Sequence, residues 1–141
     1  AGKAYDDVKL PMIGGYAIGL VARSVQEYYR RARKEKEDIF LRIETSEPFQ
    51  KLLPEVEGKK AIIFFSPNGV YLKTMADING VSHMVKIANP SPVKDAAEIA
   101  MKIVTKYKID HKLVKNKEVN DQVFKEFRFE LRNAYRRQRS Q

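Results

Sequence analysis

Phe64, Tyr71, Lys73 and Lys86 lie in one stretch, Lys59 to Asn89 (KKAIIFFSPNGVYLKTMADINGVSHMVKIAN), at positions that strand alternation puts on a single side of a sheet. Aromatic rings interleaved with cations make a stacking surface for single-stranded nucleic acid, because every base has a π-face and every nucleotide a phosphate. Two further groups share this composition. Arg30 and Arg33 stand beside Tyr29, and Arg128, Arg132, Arg136 and Arg139 repeat at i, i+4, i+8 and i+11 with Phe129 next to them. A basic helix with an exposed aromatic suits phosphate contact plus a stacked base. A solvated face with a Glu27–Arg31 pair competes for the first group, and contact of Phe129 with another subunit competes for the second. Phe40 and Arg42 join the Phe64 group if the segment holding them is a strand of the same sheet.

Other chemistry is thinly represented. His83 and His111 have no cysteine partners and no metal-ligand spacing. No glycine-rich phosphate loop, nucleophile elbow or zinc-protease motif occurs. Asp38, Glu44, Glu47 and Asp77 are scattered at the ends of expected strands, which is weak support for a metal nuclease. The expectation is a chain without catalytic residues, metal site or cofactor, and not an enzyme.

The strands that position the aromatic and basic residues follow from two Asn-Gly signals, Asn68-Gly69 and Asn79-Gly80, each between runs of strand formers. Two-residue turns at those sites pair Phe64 with Lys73, Ile63 with Thr74, Leu72 with Ile87, Thr74 with Val85 and Lys73 with Lys86. One face then carries Ala61, Ile63, Phe65, Val70, Leu72, Thr74, Val81, His83, Val85 and Ile87, which is a core face. The other carries Ile62, Phe64, Ser66, Tyr71, Lys73, Met75, Ser82, Met84 and Lys86. Facing lysines destabilise a sheet, so a Lys73–Lys86 pair asks for an anion between them. Two arrangements satisfy the pattern: an open platform, or a second helical layer with the lysines snorkelling at its rim.

Around this centre, Ile13, Tyr16, Ala17, Leu20, Val21, Val25, Tyr28 and Ala32 form the apolar stripe of a helix from about Met12 to Lys36. Its apolar start, Met12 to Ala22, is too short to span a membrane. Asp38 to Glu44 reads as a strand with Ile39, Leu41 and Ile43 inward. A short helix, Phe49 to Leu53, has Ser46 as N-cap and is stopped by Pro54. Ser91 caps a helix that starts at Pro92 and ends near Ile109. Asp110 to Asn116 is a connector with an extended piece at Lys112–Val114, and a last helix runs from Lys117 to Arg139. The fold class is α+β, a four-stranded antiparallel sheet packed with about four helices on one face, in one domain over residues 1–141.

A charge of +9 over 141 residues, from 27 Lys and Arg against 18 Asp and Glu, favours a polyanionic partner. Without cysteine there is neither a disulfide framework nor a thiolate metal site, which fits an intracellular chain. The order of elements, with the stretches EDIFLRIETSEPFQKLL and KKAIIFFSPNGVYLKT, resembles the ThermoDBP family of archaeal single-stranded DNA-binding proteins. The resemblance implies a thermophilic, cytoplasmic, nucleoid-associated protein that binds single strands without sequence preference in place of an OB-fold, and a C-terminal oligomerising helix. It assigns no individual residue. The expected partner is single-stranded DNA or RNA, with homo-oligomer formation and no membrane. The alternative is a structural RNA-binding or ribosome-associated protein that holds phosphates through its Arg-rich helices.

Overall fold

The computed structural model describes residues 14–75 and 83–139, with side chains from Ser24 onward. In chain order the described elements are α1 (Gly14–Glu44), α2 (Glu47–Val56), β1 (Lys60–Ser66), β2 (Gly69–Thr74), β3 (Met84–Ala88), α3 (Val93–Lys106), β4 (Asp110–Lys115) and α4 (Asp121–Arg139). The fold is α+β. The chain divides into two compact units, Ala1–Arg42 and Ile43–Gln141.

Asp38 to Glu44 is the end of α1 and not a strand. The run RRARKEKED that precedes Ile39 holds strong helix formers and no glycine or proline, so nothing stops the helix at Lys36. Burial follows the helical period: Phe40 and Glu44 are buried and Ile43 half-buried, whereas Ile39 and Leu41 are exposed. The alternation of Ile39, Leu41 and Ile43 was therefore coincidental. Of the apolar stripe expected on this helix, Ile13 to Val21 fall outside the described side chains. Val25 and Ala32 are half-buried, and Tyr28 is exposed.

The sheet has the order β3-β2-β1-β4, with β1–β2 and β2–β3 antiparallel and β1–β4 parallel. It is mixed, which corrects the antiparallel expectation. Its fourth strand comes from the segment expected to be a connector. A parallel partner for β1 needs a long crossover from β3, and α3 supplies it.

The hairpin register also differs from the expected one, by two residues. Phe64 faces Tyr71 and Ile63 faces Leu72, and the closing pair is Ser66–Gly69. Pro67 and Asn68 thus occupy the turn instead of Asn68 and Gly69. Proline presets the φ of a turn position and cannot donate to a ladder. Ser66 Oγ accepts from the Asn68 N–H at 3.2 Å and donates to the Gly69 carbonyl at 3.1 Å, which closes the loop. Between β2 and β3, Tyr71 faces Lys86, Leu72 faces Val85 and Lys73 faces Met84, with an irregularity between Val70 and Tyr71. The second turn, Asn79-Gly80, lies outside the described residues together with Asp77, Val81 and Ser82. Because side chains alternate with period two, a slip of two changes each residue's neighbours but not its face.

In the unit from Ile43, the fully buried apolar side chains of the strands lie on one face. Ala61, Ile63, Phe65, Val70, Leu72 and Ile87 are buried against Phe49, Leu52 and Val56 of α2, the Ala96–Val104 side of α3, and Phe127, Leu131 and Ala134 of α4. The Phe65 ring lies 4.7 Å from Phe127 and 6.5 Å from Phe124. α2 continues through Pro54, because fully buried Val56 holds the last turn and the Glu57 N–H closes on the Leu53 carbonyl at 2.8 Å. Ser46 occupies the cap position, but its hydroxyl donates back to the Ile43 carbonyl at 2.7 Å. Pro92, rather than Ser91, is at the cap of α3. Asn120 caps α4 by accepting from the Gln122 N–H at 2.7 Å, so that helix starts at Asp121 and not at Lys117.

Glu44 is a buried carboxylate of this unit, and Lys106 Nζ and the Tyr107 hydroxyl both donate to its Oε2. Burial alone raises its pKa. Those two hydrogen bonds and the Lys106 and Lys102 charges outweigh it and hold the carboxyl below its ordinary value of 4.5. Burial, then the Glu44 carboxylate, push the Tyr107 hydroxyl from 10.0 up to about 12. The depressed carboxyl stabilises the fold above pH 4.5, and that contribution is lost as pH falls through the folded value. The raised hydroxyl stabilises it below pH 10.0, and that contribution is lost as pH rises toward about 12. Denaturant unfolding across pH should therefore show stability falling at both ends, and Tyr107→Phe should remove part of the alkaline fall. An unchanged alkaline slope in that variant would contradict the assignment.

Candidate nucleic-acid interface

Two rows of side chains cross the other face of the sheet. One runs Lys86–Tyr71–Phe64–Val114 and the next Met84–Lys73–Ile62–Lys112, from β3 through β2 and β1 to β4. With strands about 4.8 Å apart, each row spans about 14 Å. Ile62, Phe64, Tyr71, Lys73 and Val114 are half-buried, while Met84, Lys86 and Lys112 are exposed. Among the described residues, none of these eight side chains is fully buried. Asp110, beside Lys60, is the one carboxylate that the described strands place on it.

The observed register corrects the local chemistry expected from the sequence. Lys73 lies between Ile62 and Met84, and Lys86 lies beside Tyr71, so the two lysines are not opposed. Phe64 and Tyr71 are instead directly opposite in register, with Lys86 the next residue along the row. Cross-strand neighbours of this kind have Cβ atoms about 4.5–5.5 Å apart.

Gly69 shares this face. A Cβ at that position would meet Lys86 Cε at 2.7 Å, and Lys86 Cδ and the Ala88 carbonyl at 3.1 Å. Among the described glycines only Gly58 has a positive φ, so Gly69 is there for space and not for turn geometry. The Lys86 stem occupies the place a side chain would take at Gly69. Gly69→Ala should displace Lys86 and cut the salt slope of single-strand binding by about 0.7, the share of one phosphate. A salt series of binding isotherms reads this, and an unchanged slope would remove Lys86 from the contact set.

The other expected contact residues do not join these rows. Phe40 and Arg42 are on α1; Phe40 is buried and Arg42 exposed. Arg30 and Arg33 are exposed on the same helix, in the unit that ends at Arg42. The Arg30 guanidinium is bound to the Glu27 carboxylate at 2.6 and 3.1 Å. That hydrogen bond raises the Arg30 pKa and lowers that of Glu27. Arg128, Phe129, Arg132 and Arg136 are exposed on α4, whose buried side packs on the core face. His83, expected in the core, is exposed, with Nδ1 2.9 Å from Glu55 Oε2. His111 lies half-buried beside Ala61, and burial lowers its pKa.

Sequence reasoning missed Lys112 and Val114 as members of this face. The signal was the alternation of DHKLVK, in which His111, Leu113 and Lys115 share the side of Ala61, Ile63 and Phe65. Among the described residues no three His, Asp or Glu side chains converge as a metal site, and no helix is long and apolar enough to cross a membrane. No protein-family model, no curated protein and no solved structure matches the chain.

Proposed function

We propose that the open face of the sheet binds single-stranded DNA without sequence preference. Bases stack on Phe64 and Tyr71, and Lys86, Lys73 and Lys112 hold the phosphates. One observation carries this reading: Phe64, Tyr71 and Lys86 stand in three adjacent strands of one row, on a face that the core does not bury. The two rows contain only apolar, aromatic and lysine side chains. Stacking on Phe64 and Tyr71 tolerates any sequence because every base has a π-face, and the rows hold no Asn, Gln or Arg. The net charge of +9 favours the encounter with a polyanion. The ThermoDBP-like expectations of a nucleoid-associated chain belong to the same reading.

Titrations of one labelled sequence as single-stranded DNA, as RNA and as duplex DNA test it, each over a range of salt. Single strands should bind more tightly than the duplex. Three lysines at roughly −0.7 per phosphate give a log–log salt slope of about −2. Duplex or folded RNA bound in preference would instead favour a phosphate-gripping structural RNA-binding protein. A slope near zero would contradict both.

A further inference from the structure

α4 carries a second basic surface, on its side facing away from the sheet. Phe127, Leu131 and Ala134 face the core, where the Phe127 ring meets Phe65. At 3.6 residues per turn, Lys125, Arg128, Phe129, Arg132, Arg136 and Arg139 fall on the opposite side of the helix, and all are exposed. Glu126 and Glu130 lie outside this stripe by the same geometry. Asp121, at its head, is paired with Lys115 at 3.0 Å. From Arg128 to Arg139 the stripe runs about 17 Å at 1.5 Å per residue. The Arg128 guanidinium sits 5.2 Å over the Phe124 ring and that of Arg139 5.6 Å over Tyr135, so aromatic neighbours position two of its cations. Phe129 is 57% exposed among them.

The packed side of α4 and the whole thickness of the sheet separate this stripe from the Phe64–Tyr71–Lys86 row. A short strand seated on the row cannot reach it. We infer that the α4 stripe is a second single-strand site, so that one molecule holds two nucleic-acid segments at once and brings complementary strands together. The inference rests on the proposed function of the sheet face. Charge complementarity chooses the occupant, because a stripe of five cations with no carboxylate of α4 between them suits a phosphate backbone, and Phe129 offers a base a ring to stack on. Such bridging raises the local concentration of one strand at the other, and annealing accelerates as a result.

The test uses two non-complementary oligonucleotides of about 10 nucleotides, one carrying a donor dye and the other an acceptor, mixed with the full chain. Energy transfer and a stoichiometry of two strands per chain are expected. The triple variant R128A/R132A/R136A should keep the first strand's affinity within about threefold, which also reports that it is folded, while energy transfer and the second equivalent disappear. Transfer that survives in this variant would arise from chain association through the sheet faces and would overturn the inference. So would a wild-type chain that binds one strand and gives no transfer. A wild-type chain that binds no single strand would overturn the proposed function as well, so the two failures are distinguishable.

Discussion

Phe64→Ala is expected to weaken single-strand binding by about 1–3 kcal/mol, with a loss of similar size for Tyr71→Ala, because each removes one stacking partner for a base. The loss corresponds to about 5- to 150-fold in Kd. Phe64 and Tyr71 are directly opposite on adjacent strands, so their effects should not add: removing one ring also changes the support of the other. Both side chains are half-buried, so the cost to the fold should be about 1 kcal/mol. Anisotropy titration and denaturant unfolding on the same variants separate the two effects. Full-strength binding by a folded Phe64→Ala variant would remove the platform.

Phe65→Ala, one residue further along β1, should behave in the opposite way. Phe65 is 2% exposed and its ring contacts Phe127 and Phe124. Truncation leaves a cavity between β1 and α4, and the expected loss of stability is about 3–5 kcal/mol. Whatever fraction remains folded should bind single strands at close to full affinity, because the ring points away from the binding face. Denaturant midpoints measure the first effect and binding corrected for folded fraction the second. A Phe65→Ala variant as stable as wild type would mean that α4 is not packed on the core face.

The opposite faces of Phe64 and Phe65 were legible from alternation alone. They survived an error in register because the slip was even. The register itself was not legible. Asn68-Gly69 is a strong turn signal, but Pro67 beside it competes for the same turn, and only the closing Ser66–Gly69 pair and the Lys86 stem lying over Gly69 show which residues take it. The face of Lys86 was therefore correct and its neighbour wrong. β4 escaped for a different reason: it is a six-residue edge strand with only Leu113 and Val114 as aliphatic residues, and its parallel pairing with β1 is non-local. Asp38–Glu44 failed in the other direction, where a short alternating run was absorbed by a helix with no stop signal before it. The arginine stripe of α4 was legible because its i+4 spacing depends on no partner element. Its separation from the sheet's open face was not, since that needs the packing of Phe127 on Phe65.

The most direct measurement is of the rings themselves. Aromatic proton NMR spectra of the chain, with and without an oligodeoxynucleotide of mixed sequence, report which side chains meet a base. Ring protons of Phe64 and Tyr71 should shift upfield under the ring current of a stacked base, while those of Phe65 and Phe127 stay in place. If instead Phe64 and Tyr71 do not move, and only Phe129 and Tyr135 respond, then nucleic acid binds on α4 and the open face of the sheet is not where it is held.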